Sequence, residues 1–199
     1  MNESNRKSDA ERVEFLHSLA ILDTAPDENL ERIVELCRLI FDVPISDISL
    51  IDGDRQWFKS MQGLNLTESP RQDAICNLTI GQDEVFEIPD TTLHEVVREN
   101  VFVKGDPGIR FYTGATVTIS GHNIGALCVM DLRPHEPMTQ AQRQILDLLS
   151  KIVAREIQVQ SLLRKALPVV ISAAETSGLA SFLGTAETED LAQKDNPGA

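Results

Sequence analysis

The chain has 199 residues, 42% of them apolar, which is enough to bury one ordinary hydrophobic core. Its 31 acidic side chains outnumber 18 basic ones and give a formal charge of -13. That field opposes non-specific attraction to nucleic acid or anionic lipid, and no apolar run approaches the length of a bilayer span.

The N-terminal run MNESNRKSDAER is polar and lacks the apolar core of a secretory signal, so residues 1–9 are read as a flexible lead. Cys37, Cys76 and Cys128 are odd in number and widely spaced, which suits reduced thiols in a cytoplasmic protein better than a disulfide framework. From Ala10 to Ala20, Val13, Leu16, Leu19 and Ala20 recur at helical spacing, with Asp9 as the expected cap. Asp23–Asp27 interrupts this pattern. A second helix is expected from about Asp27 to Phe41, with Leu30, Ile33, Val34, Cys37, Ile40 and Phe41 on a broad apolar face.

Ile45–Ile51 alternates as a strand, placing Ile48 and Leu50 on the face opposite Ser49 and Ile51. Asp52-Gly53-Asp54 reads as a hairpin connection to a second strand, Arg55–Met61. Thr67–Arg71 is expected to start a short helical segment that continues through Ile80. Val85–Pro89 reads as a third strand, Leu93–Val97 as one or two helical turns, and Val101–Ile109 as loop because Gly105, Pro107 and Gly108 cluster there. Phe111–Ile119 and Ile124–Met130 are strong strands joined by Ser120-Gly121-His122-Asn123.

Thr139 is the expected N-cap of a long helix, with Gln142 completing a capping box. Ile145, Leu148, Leu149, Ile152, Val153, Ile157, Gln160 and Leu163 keep one face of it largely apolar. Its first half should cover the sheet, and Ile152, Val153 and Ile157 are candidates for contact with a partner helix. Pro168 breaks the pattern, so 164–199 is expected to be a weakly structured or disordered acidic tail.

The ordered stretches LAILDTAPDENLERIVELCRLIFDVPISDISLIDGDRQWFKSMQGL, TESPRQDAICNLTI, PGIRFYTGATV and IGALCVMDLRPHEPMTQAQRQILDLLSKIV resemble the GAF family of sensory domains. The resemblance implies an α/β (α+β) domain over residues 10–163. It implies a profilin- or PAS-like central antiparallel sheet of five to six strands, with the N- and C-terminal helices packed on one face. Irregular segments on the other face form a small-molecule pocket in many relatives. It also implies signalling through terminal helices, commonly as a homodimer. No kinase, cyclase, phosphodiesterase or helix-turn-helix segment fits after Leu163, so the expected partners are an unidentified small molecule, a second copy and a separate signalling protein, with neither nucleic acid nor membrane.

Candidate ligand contacts are Arg55, Trp57, Phe58, Arg71, Cys76, Arg110, Phe111 and Tyr112. The aromatics suit a pocket wall and equally suit sheet packing. The guanidinium groups suit a carboxylate or phosphate, and equally the chain's own carboxylates Asp52, Asp54, Asp73 and Asp131. Cys76 is the thiol nearest the loops, and a Cys76–Cys128 redox pair is conceivable, because some GAF proteins reduce free methionine sulfoxide. A thiol-dependent reductase of a small sulfoxide is therefore one alternative to sensing, and a ligand-free dimerisation module is another. His17, His94, His122 and His135 are scattered, without metal-ligand spacing, and Asp83, Glu84, Glu87 and Asp90 do not reproduce a calcium loop. The motifs of phosphate-binding loops, dinucleotide-binding turns, serine hydrolases and zinc proteases are absent, as is the cyclic-nucleotide signature of the family. The chain thus reads as a binding module rather than an enzyme, with no catalytic residue, no metal and no specified cofactor.

Overall fold

The computed structural model describes residues 9–176. The chain divides at Val159 and Gln160 into two compact units. The first carries the sheet, and the described part of the second is the C-terminal half of one long helix.

Helix α1 (Asp9–Ser18) buries Leu16 and Arg12. Asp9 is its first residue, and the carboxylate binds Arg12 at 2.9 Å and Arg71 at 2.8 Å. Left-handed Ala20 and Asp23 then turn the chain. Helix α2 (Glu28–Phe41) starts where Asp27 accepts the Asn29 and Leu30 N–H groups, both at 3.0 Å, and ends on left-handed Asp42.

Strands β1 (Ile45–Ile51), β2 (Arg55–Gln62), β3 (Glu68–Pro70), β4 (Phe86–Ile88), β5 (Phe111–Ile119) and β6 (His122–Asp131) form one open antiparallel sheet in the order β3-β2-β1-β6-β5-β4. The expected α+β fold with five to six strands is present. One face packs Ile48, Leu50, Trp57, Phe111 and Leu127 against α1, α2 and the start of the last helix, as expected for terminal helices sharing a face. The other face packs Ile45, Ile51, Tyr112, Ala126, Cys128 and Met130 against the irregular segments, which include α3 (Cys76–Thr79) and α4 (Val101–Lys104).

Four local expectations are corrected. Thr67–Arg71 does not begin a helix: β3 pairs with the outer edge of β2, where Arg55 faces Pro70 and Trp57 faces Glu68. Ladder bonds to the preceding strand outweigh the local preference, and Pro70 is tolerated because β3 is the sheet edge. Val101–Lys104 is helical, capped by the Asn100 side chain, and the glycine and proline cluster shapes only the loop after it. His122 and Asn123 belong to β6, since Ser120 and Gly121, with φ of 51° and 79°, complete the hairpin turn alone. Positive φ at both central positions matches the twist of the flanking strands.

The last correction concerns α5 (Gln140–Thr176), which runs through Pro168. The proline removes one backbone donor, and the turns on either side keep helical geometry. At the start of α5, Thr139 Oγ1 accepts the Gln142 N–H at 3.2 Å while Gln142 Oε1 accepts the Thr139 N–H at 2.9 Å. That is the reciprocal cap read from the sequence.

Candidate functional site

The face of the sheet opposite α1 and α2 carries a cavity of about 30 Å³. That volume holds a water-sized guest. Its position depends on a bulge in β2. Ile48 pairs with Ser60 but Ser49 pairs with Phe58, leaving Lys59 as the extra residue. Side chains alternate along a strand, so residues three apart normally face opposite ways. The extra residue puts Phe58 and Met61 on the same face, and both line the cavity. Lys59 is directed the other way, donating to Thr24 Oγ1 at 2.8 Å and the Ala25 carbonyl at 2.6 Å.

Leu64, Leu66, Ile75, Phe102 and Met130 form the apolar wall, and Asp47, Gln56, Cys76 and Tyr112 supply polar atoms. The Tyr112 hydroxyl lies 2.6 Å from Thr79 Oγ1 and 3.1 Å from Cys128 Sγ. Gln56 Nε2 donates to Cys76 Sγ at 3.2 Å, and the two sulfurs are themselves 3.2 Å apart. Gly114 makes room for this cluster: an added Cβ would lie 2.6 Å from the Tyr112 hydroxyl and 3.1 Å from Cys128 Sγ.

Asp47 pairs with Cys128 across β1 and β6 and is fully buried. Neither carboxylate oxygen makes a hydrogen bond of normal geometry. Burial, reinforced by the Cys76 sulfur, raises its pKa well above the usual carboxylate range, and the neighbouring Ser49 hydroxyl offsets this only in part. At Cys76, burial opposes ionisation, but Cys128, Ser49, Tyr112 and Gln56 favour the anion and bring the thiol down to about 7. Burial and the adjacent Cys76 hold Cys128 well above an ordinary thiol. Cys37 lies in the helix-side core, where burial pushes it up to about 12.

Of the eight ligand candidates, Phe58, Cys76 and Tyr112 converge on the cavity. Trp57 packs on the helix side of the sheet, 5.9 Å from Lys59 Nζ, and Phe111 stacks on His135 at 4.3 Å in the same core. Arg55 is held by Asp23 at 2.7 Å, Glu68 at 2.7 Å and Asp52 at 3.4 Å. Arg110 donates to the Val103 and Ile109 carbonyls. Arg71 lines a separate polar cleft of about 490 Å³ with Asp9, Arg12, Asn77, His122 and Asn123. Asp47, Gln56 and Met61 were missed. A carboxylate in the middle of a strand rich in isoleucine and leucine was the available signal for Asp47. The bulge that turns Met61 inward has no sequence mark.

The helix candidates also separate. Val153 and Ile157 are fully buried in the sheet-facing core together with Leu146, so neither is free to meet a partner. Ile152 is 54% exposed, and Ile145 and Leu148 are exposed beside it. In the acidic loops, Glu87 accepts the Met138 N–H and pairs with Arg143, and Asp90 accepts from Thr92, so these carboxylates already have partners.

An open antiparallel sheet with terminal helices on one face and a small cavity under irregular segments on the other defines a sensory-domain architecture. The family model described as GAF domain matches residues 25–157, and the chain belongs to that family. It is 37% identical over 147 residues to the cyclic di-GMP phosphodiesterase PA2567 of Pseudomonas aeruginosa, covering 73% of this chain and 25% of that protein. The chain thus spans a quarter of that relative's length. Among solved structures, the GAF domain of an Acinetobacter phosphoenolpyruvate-protein phosphotransferase matches with a TM-score of 0.55 at 16% identity, covering 81% of this chain and 99% of that one. The free methionine-R-sulfoxide reductase of Neisseria meningitidis matches with a TM-score of 0.56 at 19% identity, covering 81% and 96%. At such identities these likenesses establish the fold.

Proposed function

We propose that this chain is a sensory module in which a small molecule enters the cavity beneath the β2–β3 connection and α4, and α5 carries the change to a partner. The observation that supports it most is the cavity itself, an apolar wall over polar atoms from Asp47, Gln56, Cys76 and Tyr112. Such convergence of a few polar groups in an apolar pocket is the usual form of a small-ligand site. At about 30 Å³ the site is small, so a ligand larger than water must displace wall residues such as Leu64, Leu66 or Phe102 to sit within it. That displacement gives binding a structural consequence, which a signal requires. Similarity to a cyclic di-GMP phosphodiesterase supports an output in the turnover of a cyclic dinucleotide, performed outside the segment matched here.

The partner for α5 is a second copy of the chain. Ile145, Leu148, Ile152, Val159, Leu162 and Val169 fall at the alternating three- and four-residue spacing of a coiled-coil seam, interrupted by Arg155 and Ala166. Of these, Leu148, Ile152, Leu162 and Val169 are more than half exposed.

Thermal unfolding of the full chain against nucleotides, amino acids and their oxidised forms tests the cavity. At least one compound should raise Tm for the natural chain and fail to do so for Met61→Trp, which fills the cavity. A shift that survives this substitution, or no shift from any compound, counts against the reading. The competing reading, reduction of a small sulfoxide, draws on the 3.2 Å approach of Cys76 and Cys128. It requires turnover with free methionine sulfoxide that disappears in Cys76→Ser.

A further inference from the structure

An organic guest in the cavity does not account for Asp47. Its carboxylate is fully buried, neither oxygen makes a hydrogen bond of normal geometry, the neighbouring Ser49 hydroxyl offsets its burial only in part, and a pair of sulfurs lies close by. One Asp47 oxygen, Cys76 Sγ and Cys128 Sγ lie within 4.8 Å of one another. All three side chains come from separate elements: Asp47 from β1, its cross-strand partner Cys128 from β6, and Cys76 from the first turn of α3. We propose that these three side chains bind a divalent transition-metal ion of the zinc class, with the cavity presenting the fourth coordination position.

The donor set selects the class of ion. Two thiolates and one carboxylate suit a borderline or soft divalent cation and disfavour calcium and magnesium, which take oxygen donors. The ion offsets most of the charge of the deprotonated set: two thiolates and a carboxylate place three negative charges around a dication and leave a net of about -1. A Zn–S distance of about 2.3 Å in a tetrahedral site separates the sulfurs by roughly 3.8 Å, so the pair must open by about half an ångström. Cys76 can move that far because α3 spans only Cys76–Thr79 and follows a turn, while Asp47 and Cys128 stay fixed on paired strands.

Three protein ligands leave one position, and Asp47 and Cys76 both line the cavity. A water or a donor atom of a small molecule would complete the tetrahedron there, the arrangement of sites that exchange a ligand. Loading releases the thiol protons, and that of Asp47 where it is protonated, to solvent. A disulfide between Cys76 and Cys128 is the other chemistry open to sulfurs 3.2 Å apart, but it would leave the Asp47 carboxylate unpaired. Positions 47, 76 and 128 share no local spacing, so the site is invisible to motif reading and the expectation of no metal rested on spacing alone.

The test uses the untagged full chain, reduced, stripped with chelator and titrated with Co²⁺ and then Zn²⁺. Cobalt should give a thiolate-to-metal charge-transfer band with tetrahedral visible bands, and one equivalent of zinc should bleach both. Cys37→Ser should leave the spectrum unchanged. Cys128→Ser should lose about half of the charge-transfer intensity, and Asp47→Asn should keep the band but weaken cobalt binding about tenfold or more. If circular dichroism shows that Cys128→Ser does not fold, Asp47→Asn carries the test. No band, a band abolished by Cys37→Ser, or a band equal in affinity in Asp47→Asn overturns the site. Formation of a Cys76–Cys128 disulfide on mild oxidation, equally fast with and without zinc, also overturns it and assigns the pair to redox chemistry.

Discussion

Gly114 shows how tightly the cavity floor is set. A methyl group there would meet the Tyr112 hydroxyl, the Thr79 hydroxyl and Cys128 Sγ, all on fully buried residues. Gly114→Ala should therefore destabilise the chain by ~1–3 kcal/mol in urea unfolding, as overpacking does, with the loss reduced when Tyr112→Phe removes the hydroxyl. Asp131 is a second residue with a measurable signature. Burial opposes its ionisation, but His135 at 2.7 Å, Arg133 at 3.1 Å and the Leu132 N–H at 2.6 Å together hold its pKa below the ordinary carboxylate range. The unfolded chain, with an ordinary pKa of about 3.9, binds the proton first as pH falls, so the contribution is complete above that value and is lost as pH falls through the folded one. Asp131→Asn should cost ~1–3 kcal/mol near pH 6, and the two unfolding curves should converge toward pH 2. A constant difference across that range would assign the cost to shape instead of charge. Single residues were the least legible scale. Arg55 and Arg110 have the right chemistry for a ligand and are consumed by local partners, because an acidic chain offers carboxylates and carbonyls at every turn.

At the scale of elements, α5 separates a buried face from an exposed one within a single turn. Leu146 is fully buried while Leu148 is 51% exposed. Leu146→Ala should cost ~2–5 kcal/mol through the cavity it leaves, and Leu148→Ala, compared at protein concentrations low enough to keep both chains monomeric, should stay within about half a kcal/mol. Thr139→Ala removes one side of the reciprocal cap and should cost ~1 kcal/mol. Chemical denaturation of the three variants under one condition checks the order. The cap and both strand pairs β1–β2 and β5–β6 were legible because each is local: a capping residue three positions from its partner, or two alternating runs around a short turn. Strand β3 was not, since it forms only where the edge of β2 waits for it. Nor was the buried face of α5. Leu146, Leu149, Val153 and Ile157 follow helical spacing, and so do Ile145, Leu148 and Ile152, and only the sheet decides which stripe it covers.

For the whole molecule, the second stripe is the point where sensing would become output. No helix among the described residues is long and apolar enough to cross a membrane, so the exposed apolar residues of α5 are not explained by such a span. Left in water they are a cost, and pairing two copies through the same seam removes it for both. Sedimentation equilibrium should find the natural chain dimeric and Ile152→Glu monomeric, with the same circular dichroism spectrum and a Tm reduced only by loss of association. Val153→Glu, one residue away but in the fully buried core, should instead fail to fold. The pair of variants distinguishes an interface from a general sensitivity of the helix. A monomeric natural chain, or an Ile152→Glu variant that remains dimeric, would remove the seam as the route of the signal. The cavity would then have to act through the exposed faces of the irregular segments that close it.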